Sequence, residues 1–148
     1  MIFAAVLVVI LVLVVAVAVG IARDSGPTPA DVATSYEEAW DRLDFDALYA
    51  MSGQELRDGL ERRAFVATKR AAYSHQPDLR SLASGITIVH VASSGETAIV
   101  VTEVVPHDGT DPRTALRNRI DLARRSGRWE VVGYRLAPPT GVATPAAG

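Results

Sequence analysis

The longest uninterrupted apolar segment lies at the N-terminus and constrains the rest of the chain. Residues 2–22 contain no charged side chain, and the segment ends at Arg23 and Asp24. A helix rises about 1.5 Å per residue, so this segment would span roughly 30 Å, the thickness of a bilayer's hydrocarbon core. A soluble helix would show a polar face, and the segment has none. We therefore predict a single transmembrane helix over residues 2–22, which localises the chain to a membrane.

The competing interpretation is a cleaved signal peptide, because Ala16, Val17 and Ala18 resemble a cleavage site. The apolar segment nevertheless exceeds the usual about 7–15 residues of a signal peptide, and no Lys or Arg precedes it. These two features favour a retained anchor. Arg23 is the one basic residue next to the segment, and it favours a cytoplasmic domain only weakly. The side of the membrane is therefore left open.

Composition and charge argue against several classes of function. The chain has 15 Lys and Arg against 17 Asp and Glu, and its net charge of −2 argues against nucleic-acid binding. The sequence contains no cysteine, which excludes disulfides, thiolate catalysis and thiolate metal sites. His107, Asp108 and Asp111 are close in sequence but lack the spacing of a metal site. We expect neither a bound metal nor a cofactor.

Helical periodicity predicts three helices after the apolar segment. Thr28 as N-cap and Pro29 at the first helical position predict a helix that ends near Leu43. The charged face of this helix is predicted to carry Glu37, Glu38, Asp41 and Arg42. A short second helix follows the predicted cap Asp44, and a third covers residues 61–73.

The periodicity then changes to that of β-strands. Four strands are predicted, at residues 85–91, 96–105, 113–124 and 128–136. Ser126 and Gly127 indicate a two-residue hairpin turn between the last two strands. The cross-strand pairs that this turn predicts are Leu122–Val131, Arg124–Trp129, Asp121–Val132 and Arg119–Tyr134. One face of the hairpin is then apolar, and the other face, which includes Tyr134, is more polar, as a half-covered antiparallel sheet requires.

The elements predict one α+β domain over residues 28–136, in which three helices pack on a curved four-stranded antiparallel sheet. Residues 23–27 form the linker to the transmembrane helix. Residues 137–148, rich in Pro, Ala and Gly, are predicted to be a disordered tail.

Three stretches carry a resemblance to a known family: residues 28–32 (TPADV), residues 36–49 (YEEAWDRLDFDALY) and residues 127–132 (GRWEVV). They resemble the nuclear transport factor 2-like superfamily, and in particular its small bacterial envelope-tethered domains of unknown function. The resemblance implies a cone-shaped α+β fold whose helices fill the concave side of the sheet. The superfamily includes ketosteroid isomerase-like and SnoaL-like enzymes, but no catalytic residue of theirs maps onto this chain.

Six side chains are candidates to line a pocket in such a cone, namely Tyr36, Trp40, Tyr49, His90, Asn118 and Trp129. His90 shares a predicted strand face with Ile86 and Ile88, so it would be a general base or a ligand contact if that face is internal, and a rim histidine otherwise. Asn118 is polar among apolar neighbours and could orient a ligand or simply bond within the sheet. Aromatic residues at helical or strand spacing are more often core than pocket lining, and the two tryptophans are expected to anchor helices to the sheet.

Three charged residues, Arg117, Arg119 and Asp121, are candidates to contact a protein partner from the outer sheet face, with a solvated face as the alternative.

The sequence supports three hypotheses of function. The first is a membrane-tethered, non-catalytic module that binds a protein partner or a small apolar ligand. The second is a small-molecule isomerase or dehydratase, for which Asp44, His90 and Asn118 are the residues that could supply the chemistry. The third is a homodimeric spacer that pairs through the outer sheet face. The lack of a catalytic motif favours the first.

Overall fold

A computed structural model describes residues 26–74, 83–106 and 115–137 of the chain. The predicted transmembrane helix at residues 2–22, most of the predicted tail and the loop with His107 lie outside these ranges. Within them, the structure contains no helix that is both long enough and apolar enough to cross a bilayer.

Three helices and a 3₁₀ turn precede the sheet. They are α1 (Pro29–Asp41), α2 (Phe45–Met51), the turn Gln54–Leu56 and α3 (Arg62–Tyr73). The predicted start of α1 is confirmed, because Thr28 and Asp31 form a capping box in which the Asp31 amide donates to Thr28 Oγ1 at 3.2 Å and the Thr28 amide donates to Asp31 Oδ2 at 2.9 Å. Asp44 caps α2 by accepting the Ala47 amide at 3.0 Å.

Four antiparallel strands form one sheet in the order β1–β2–β3–β4. They are β1 (Ala83–Ser94), β2 (Thr97–Pro106), β3 (Leu116–Arg125) and β4 (Arg128–Leu136). The predicted hairpin turn is confirmed, since Ser126 and Gly127 both have positive φ, at 51° and 78°, as a type I′ turn requires. This arrangement is the predicted α+β architecture of three helices on a four-stranded antiparallel sheet.

The core lies between the helices and one face of the sheet. Its buried apolar members are Val32, Ala33, Tyr36, Ala39, Phe45, Leu48, Phe65, Val66, Ala98, Val100, Ile120, Leu122 and Val131. Trp40 and Trp129 are half-buried and pack against this core, which agrees with the expectation that they join helices to the sheet. Helix α1 contacts β1, β2 and β4, whereas the 3₁₀ turn and α2 contact β4, so α1 makes the broadest connection between the helices and the sheet.

A β-bulge in β4 changes which face Tyr134 occupies. Leu122 pairs with Val131 as predicted, but Asp121 pairs with Gly133, so Val132 is an extra residue in β4. The predicted pairs Asp121–Val132 and Arg119–Tyr134 are therefore wrong. Tyr134 instead lies opposite Ile120, which is fully buried. Because side chains alternate between faces, the extra residue turns Tyr134 from the outer face to the inner one.

A second irregularity, in β1, moves His90. Ile88 pairs with Thr102 and His90 pairs with Val101, so Val89 is the extra residue there. The prediction that His90 shares a face with Ile86 and Ile88 is wrong for this reason. His90 is exposed and lies on the outer face, opposite a residue that in turn pairs with Arg119.

Candidate functional site

A carboxylate is buried where α1 meets the sheet. Glu37 is 4% exposed, and one donor from each of three strands reaches it. Thr102 Oγ1 on β2 donates to Glu37 Oε1 at 2.6 Å, and Asn118 Nδ2 on β3 donates to the same oxygen at 3.0 Å. Tyr134 on β4 donates its hydroxyl to Oε2 at 2.9 Å. We refer to Glu37, Thr102, Asn118 and Tyr134 as the acid cluster.

The members of the acid cluster also bond to one another. Asn118 Nδ2 donates to the hydroxyl oxygen of Tyr134 at 2.9 Å, in addition to its bond with Glu37. Thr102 and Asn118 are directly paired across β2 and β3, so the sheet register itself places their side chains next to each other. Thr102 is 0% and Asn118 is 7% exposed, so both donors are buried together with Glu37. The network therefore satisfies every side-chain donor that it buries.

Helix geometry explains why an acid points inward from α1. Glu37 follows Ala33 by four residues and precedes Trp40 by three, so it lies at the edge of the apolar stripe of α1, roughly 40° from Ala33 around the helix. The prediction that Glu37 shares the charged face with Glu38 is wrong. The width of the apolar stripe on α1 could have indicated that Glu37 is buried. The donors that stabilise its carboxylate come from distant strands, so the local sequence did not reveal them.

Burial and the nearby acid fix the protonation of Tyr134. Burial raises the pKa of the Tyr134 phenol, and the negative charge of Glu37 raises it further. The phenol therefore stays protonated and remains a donor at any ordinary pH. Tyr36 lies beside Tyr134, with their ring centroids 5.5 Å apart, and burial raises the pKa of its phenol as well. The hydroxyl oxygen of Tyr36 is 3.5 Å from Ser52 Oγ, which donates to the Leu48 carbonyl.

Aromatic rings surround Trp40 on the side of the acid cluster. The Trp40 ring stacks on Tyr134, with centroids 6.3 Å apart and an interplanar angle of 23°. It also packs on Tyr73 at 5.7 Å and meets Phe45 edge-on at 6.3 Å. Among the residues that the structure describes, no hydrogen bond of ordinary geometry is made by the buried Trp40 Nε1, although the Tyr36 hydroxyl is near enough for Trp40 to lower the pKa of that phenol slightly against the effect of burial.

The structure brings together only some of the pocket residues predicted from the sequence. Tyr36, Trp40 and Asn118 lie in or next to the acid cluster. Tyr49 packs on Phe65, with a ring-centroid distance of 5.4 Å. Trp129 lines a separate open cleft of about 260 Å³, with Val32 and Met51 among its other walls. His90 is exposed on the outer face.

The three charged residues predicted for the outer face take part in ion pairs there. Arg117 Nε lies 2.9 Å from Glu103 Oε2, and Arg119 Nε lies 2.8 Å from Asp121 Oδ1. Arg135 Nη2 approaches the same Asp121 at 3.1 Å. The outer face therefore carries nearly balanced charge in a fixed pattern. Over the described parts of the chain, no cluster of three or more His, Asp or Glu side chains is arranged to hold a metal ion.

Comparison with known proteins yields structural similarity without sequence matches. No protein-family model matches the sequence, and no curated protein matches it. A protein from Thiobacillus denitrificans, assigned as a calcium/calmodulin-dependent protein kinase type II association domain, superposes with a TM-score of 0.56 at 19% identity over 76% of this chain and 96% of that chain. A SEC-C motif containing protein from Rhodopseudomonas palustris gives a TM-score of 0.51 at 17% identity, covering 75% of this chain and 80% of that one.

An NTF-2 like protein of unknown function from Shewanella oneidensis MR-1 is also similar, with a TM-score of 0.48 at 22% identity over 72% of this chain and 93% of that chain. Further solved structures described as NTF-2 like proteins of unknown function, from Silicibacter pomeroyi and Pseudomonas putida, are similar as well. This agrees with the resemblance that the sequence motifs carry. At these identities the likeness concerns the fold alone, so the function of this domain has to be argued from its own residues.

Proposed function

We propose that this chain is a membrane-tethered, non-catalytic binding module, built on a nuclear transport factor 2-like domain whose cone interior is a closed scaffold. The observation that carries the proposal is that the buried Glu37 carboxylate accepts three hydrogen bonds, one from each of β2, β3 and β4. The apolar segment at residues 2–22 supports the tether. Recovery of the intact chain from the aqueous fraction without detergent would contradict that part.

The argument against catalysis in the cone starts from the lone pairs of Glu37. A general base needs an oxygen that faces the proton it removes, within about 2.6–3.2 Å. Both oxygens of Glu37 already accept hydrogen bonds from protein donors at or below 3.0 Å. The inward-facing positions next to the cluster, Val100 and Ile120, are fully buried. Glu37 therefore links α1 to the sheet through hydrogen bonds. A partner or ligand would then bind to the outer surface of the domain.

The substitution Glu37→Gln distinguishes a scaffold from an active site without knowledge of a substrate. Glutamine keeps the shape but presents an NH₂ group to the hydroxyl or amide donors that now face an oxygen, so we expect the free energy of unfolding to fall by about 1–3 kcal/mol. Active-site acids are commonly held at a cost to stability, so their replacement stabilises the fold. Glu38→Gln, one residue away on the exposed face, is the matched control. A higher melting temperature for Glu37→Gln than for Glu38→Gln would contradict the scaffold.

A small-molecule isomerase or dehydratase is the second candidate. What favours it is the proximity of a carboxylate, an amide and a phenol, all within 3.0 Å of one another in the acid cluster. Proton abstraction next to a carbonyl requires a base of this kind with donors to stabilise the resulting charge. This candidate requires Glu37 to leave its donors when a substrate enters, and the stabilising outcome of the Glu37→Gln experiment would favour it.

A further inference from the structure

An open cleft of about 480 Å³ lies where the end of α1 faces the end of α3. Its walls are Arg42, Leu43, Phe45, Arg70, Tyr73 and Ser74. The volume falls within the range of small-molecule sites, about 300–1,000 Å³. The cleft combines two guanidinium groups with the half-buried ring of Tyr73, and none of these residues belongs to the acid cluster.

The two arginines give the cleft an excess of positive charge. Arg42 has an acidic neighbour, with its Nη1 3.5 Å from Glu38 Oε2, but 62% of the Arg42 side chain is exposed. Arg70 is exposed, and no carboxylate of the described residues forms an ion pair with it. A guanidinium presents paired N–H donors in the geometry that a carboxylate accepts. The interaction between an exposed guanidinium and a ligand carboxylate becomes stronger when the ligand also excludes water from the pair.

The aromatic walls are already held in place from behind. Tyr73 and Phe45 pack on each other, with centroids 5.8 Å apart, and both pack on Trp40. Phe45 is only 3% exposed, so it supports the half-buried Tyr73 from behind. A ring fixed in this way is a rigid surface, so a flat ligand that stacks on Tyr73 loses little extra entropy on binding.

The backbone of the cleft is strained at Leu43. The end of α1 is a Schellman motif, in which the Asp44 amide donates to the Ala39 carbonyl at 2.8 Å and the Leu43 amide donates to the Trp40 carbonyl at 3.0 Å. This motif needs a residue with positive φ, usually glycine, and Leu43 adopts φ 52° there. A glycine would relieve the strain but remove an apolar wall of the cleft. The sequence thus has a leucine at position 43, where the backbone conformation alone would favour glycine.

We infer that this cleft binds a small aromatic carboxylate, with Arg70 and Arg42 on the carboxylate and the ring of Tyr73 against the ligand ring. The inference rests on the proposed function, since it gives the binding module a class of ligand. The cleft is separated from Glu37 by Trp40 and Tyr134, so the ligand does not reach the acid.

The test is isothermal titration calorimetry of the full-length protein with 1-naphthoate and with neutral 1-naphthamide. We expect 1-naphthoate to bind at least about tenfold more tightly, because only its carboxylate can pair with the arginines. Arg70→Gln should weaken 1-naphthoate binding about tenfold. Arg63→Gln is the matched control, because Arg63 makes the same charge change on the same helix but lines a neighbouring cleft. Tyr73→Leu should weaken both ligands.

Four outcomes would overturn the inference: no binding of 1-naphthoate, equal affinity for the two ligands, equal weakening by Arg63→Gln and Arg70→Gln, or inorganic phosphate binding as tightly as 1-naphthoate. Each of them leaves the scaffold proposal untouched, because that proposal is decided by the stability of Glu37→Gln. Conversely, a stabilised Glu37→Gln variant that still binds 1-naphthoate would contradict the scaffold and leave the cleft in place.

Discussion

Removal of a single oxygen, in Tyr134→Phe, isolates the energetic role of the acid cluster. The ring is kept, so its packing on Tyr36 and Trp40 is preserved. The change removes the donor that Glu37 Oε2 accepts at 2.9 Å and the acceptor that Asn118 Nδ2 uses at 2.9 Å. Asn118 keeps its bond to Glu37 Oε1, whereas no other described side chain or backbone group donates to Oε2.

The expected loss follows from the group that is left without a partner. A buried acceptor that loses its donor costs about 1–3 kcal/mol, and the charge of Glu37 argues against the lower end of that range. We therefore expect the free energy of unfolding to fall by about 2 kcal/mol. For a domain of this size that corresponds to a drop of about 8 °C in melting temperature.

The measurement is urea unfolding followed by circular dichroism, together with thermal melting. Tyr49→Phe is the control, because Tyr49 contributes its ring to Phe65 and Arg57, and no hydrogen bond of its hydroxyl is seen among the described residues. We expect Tyr49→Phe to cost less than about 0.5 kcal/mol. Equal effects of the two substitutions would refute the reasoning, because the Tyr134 hydroxyl would then contribute no more to the free energy of unfolding than the hydroxyl of Tyr49.

The same variant predicts a change in alkaline stability. An unfolded tyrosine ionises near pH 10, and the pKa of Tyr134 is raised above that value by burial and by Glu37. The stabilisation is therefore complete below about pH 10 and is lost as the pH rises further, because the unfolded chain releases its proton first. Tyr134→Phe should reduce the slope of stability against pH above pH 10. Tyr36, whose pKa is also raised, should retain part of that slope.

Two further predictions concern the surface. Arg125 donates hydrogen bonds to Glu55 and lowers the pKa of Glu55 to about 2, so this contribution is present above about pH 4.5 and is lost as the pH falls towards 2. Arg125→Gln should therefore flatten the pH dependence of stability between pH 4.5 and 2 in acid titrations, and an unchanged slope would contradict the pairing. Thr28→Ala removes the capping box of α1 and should cost about 1 kcal/mol in urea unfolding, whereas Thr28→Ser should restore most of it.

Local signals predicted most of the elements because local chemistry determines them. Thr28 and Asp44 cap their helices through bonds that span only three residues, and Ser126 with Gly127 forms the turn that such a pair favours. The predicted end of α1 at Leu43 was two residues too long, because the Schellman motif places Leu43 outside the helix.

The acid cluster could not be predicted in the same way. Tyr134 reaches the inner face only because Val132 bulges out of the pairing, and a bulge leaves no mark in the period of side chains. Glu37 resembled a surface residue because helix periodicity reports which side faces the sheet, but not which polar groups the sheet offers. Asn118 was identified as a polar residue in an apolar setting, and its actual partner lies 81 residues earlier. Sequence reasoning finds such a residue but not its contact.

The acid cluster also has a consequence for the order in which the chain folds. Glu37 is synthesised 65 residues before Thr102, 81 before Asn118 and 97 before Tyr134. At roughly 5–20 residues per second, the ribosome needs about 5–20 s to supply the last donor. Until then, docking α1 would strip water from Glu37 and replace it only at Oε1, because Thr102 and Asn118 emerge before Tyr134. The docked position of α1 is therefore expected to reach its full stability only after β4 emerges, so that a nascent chain missing its final strand opens more readily than the complete domain.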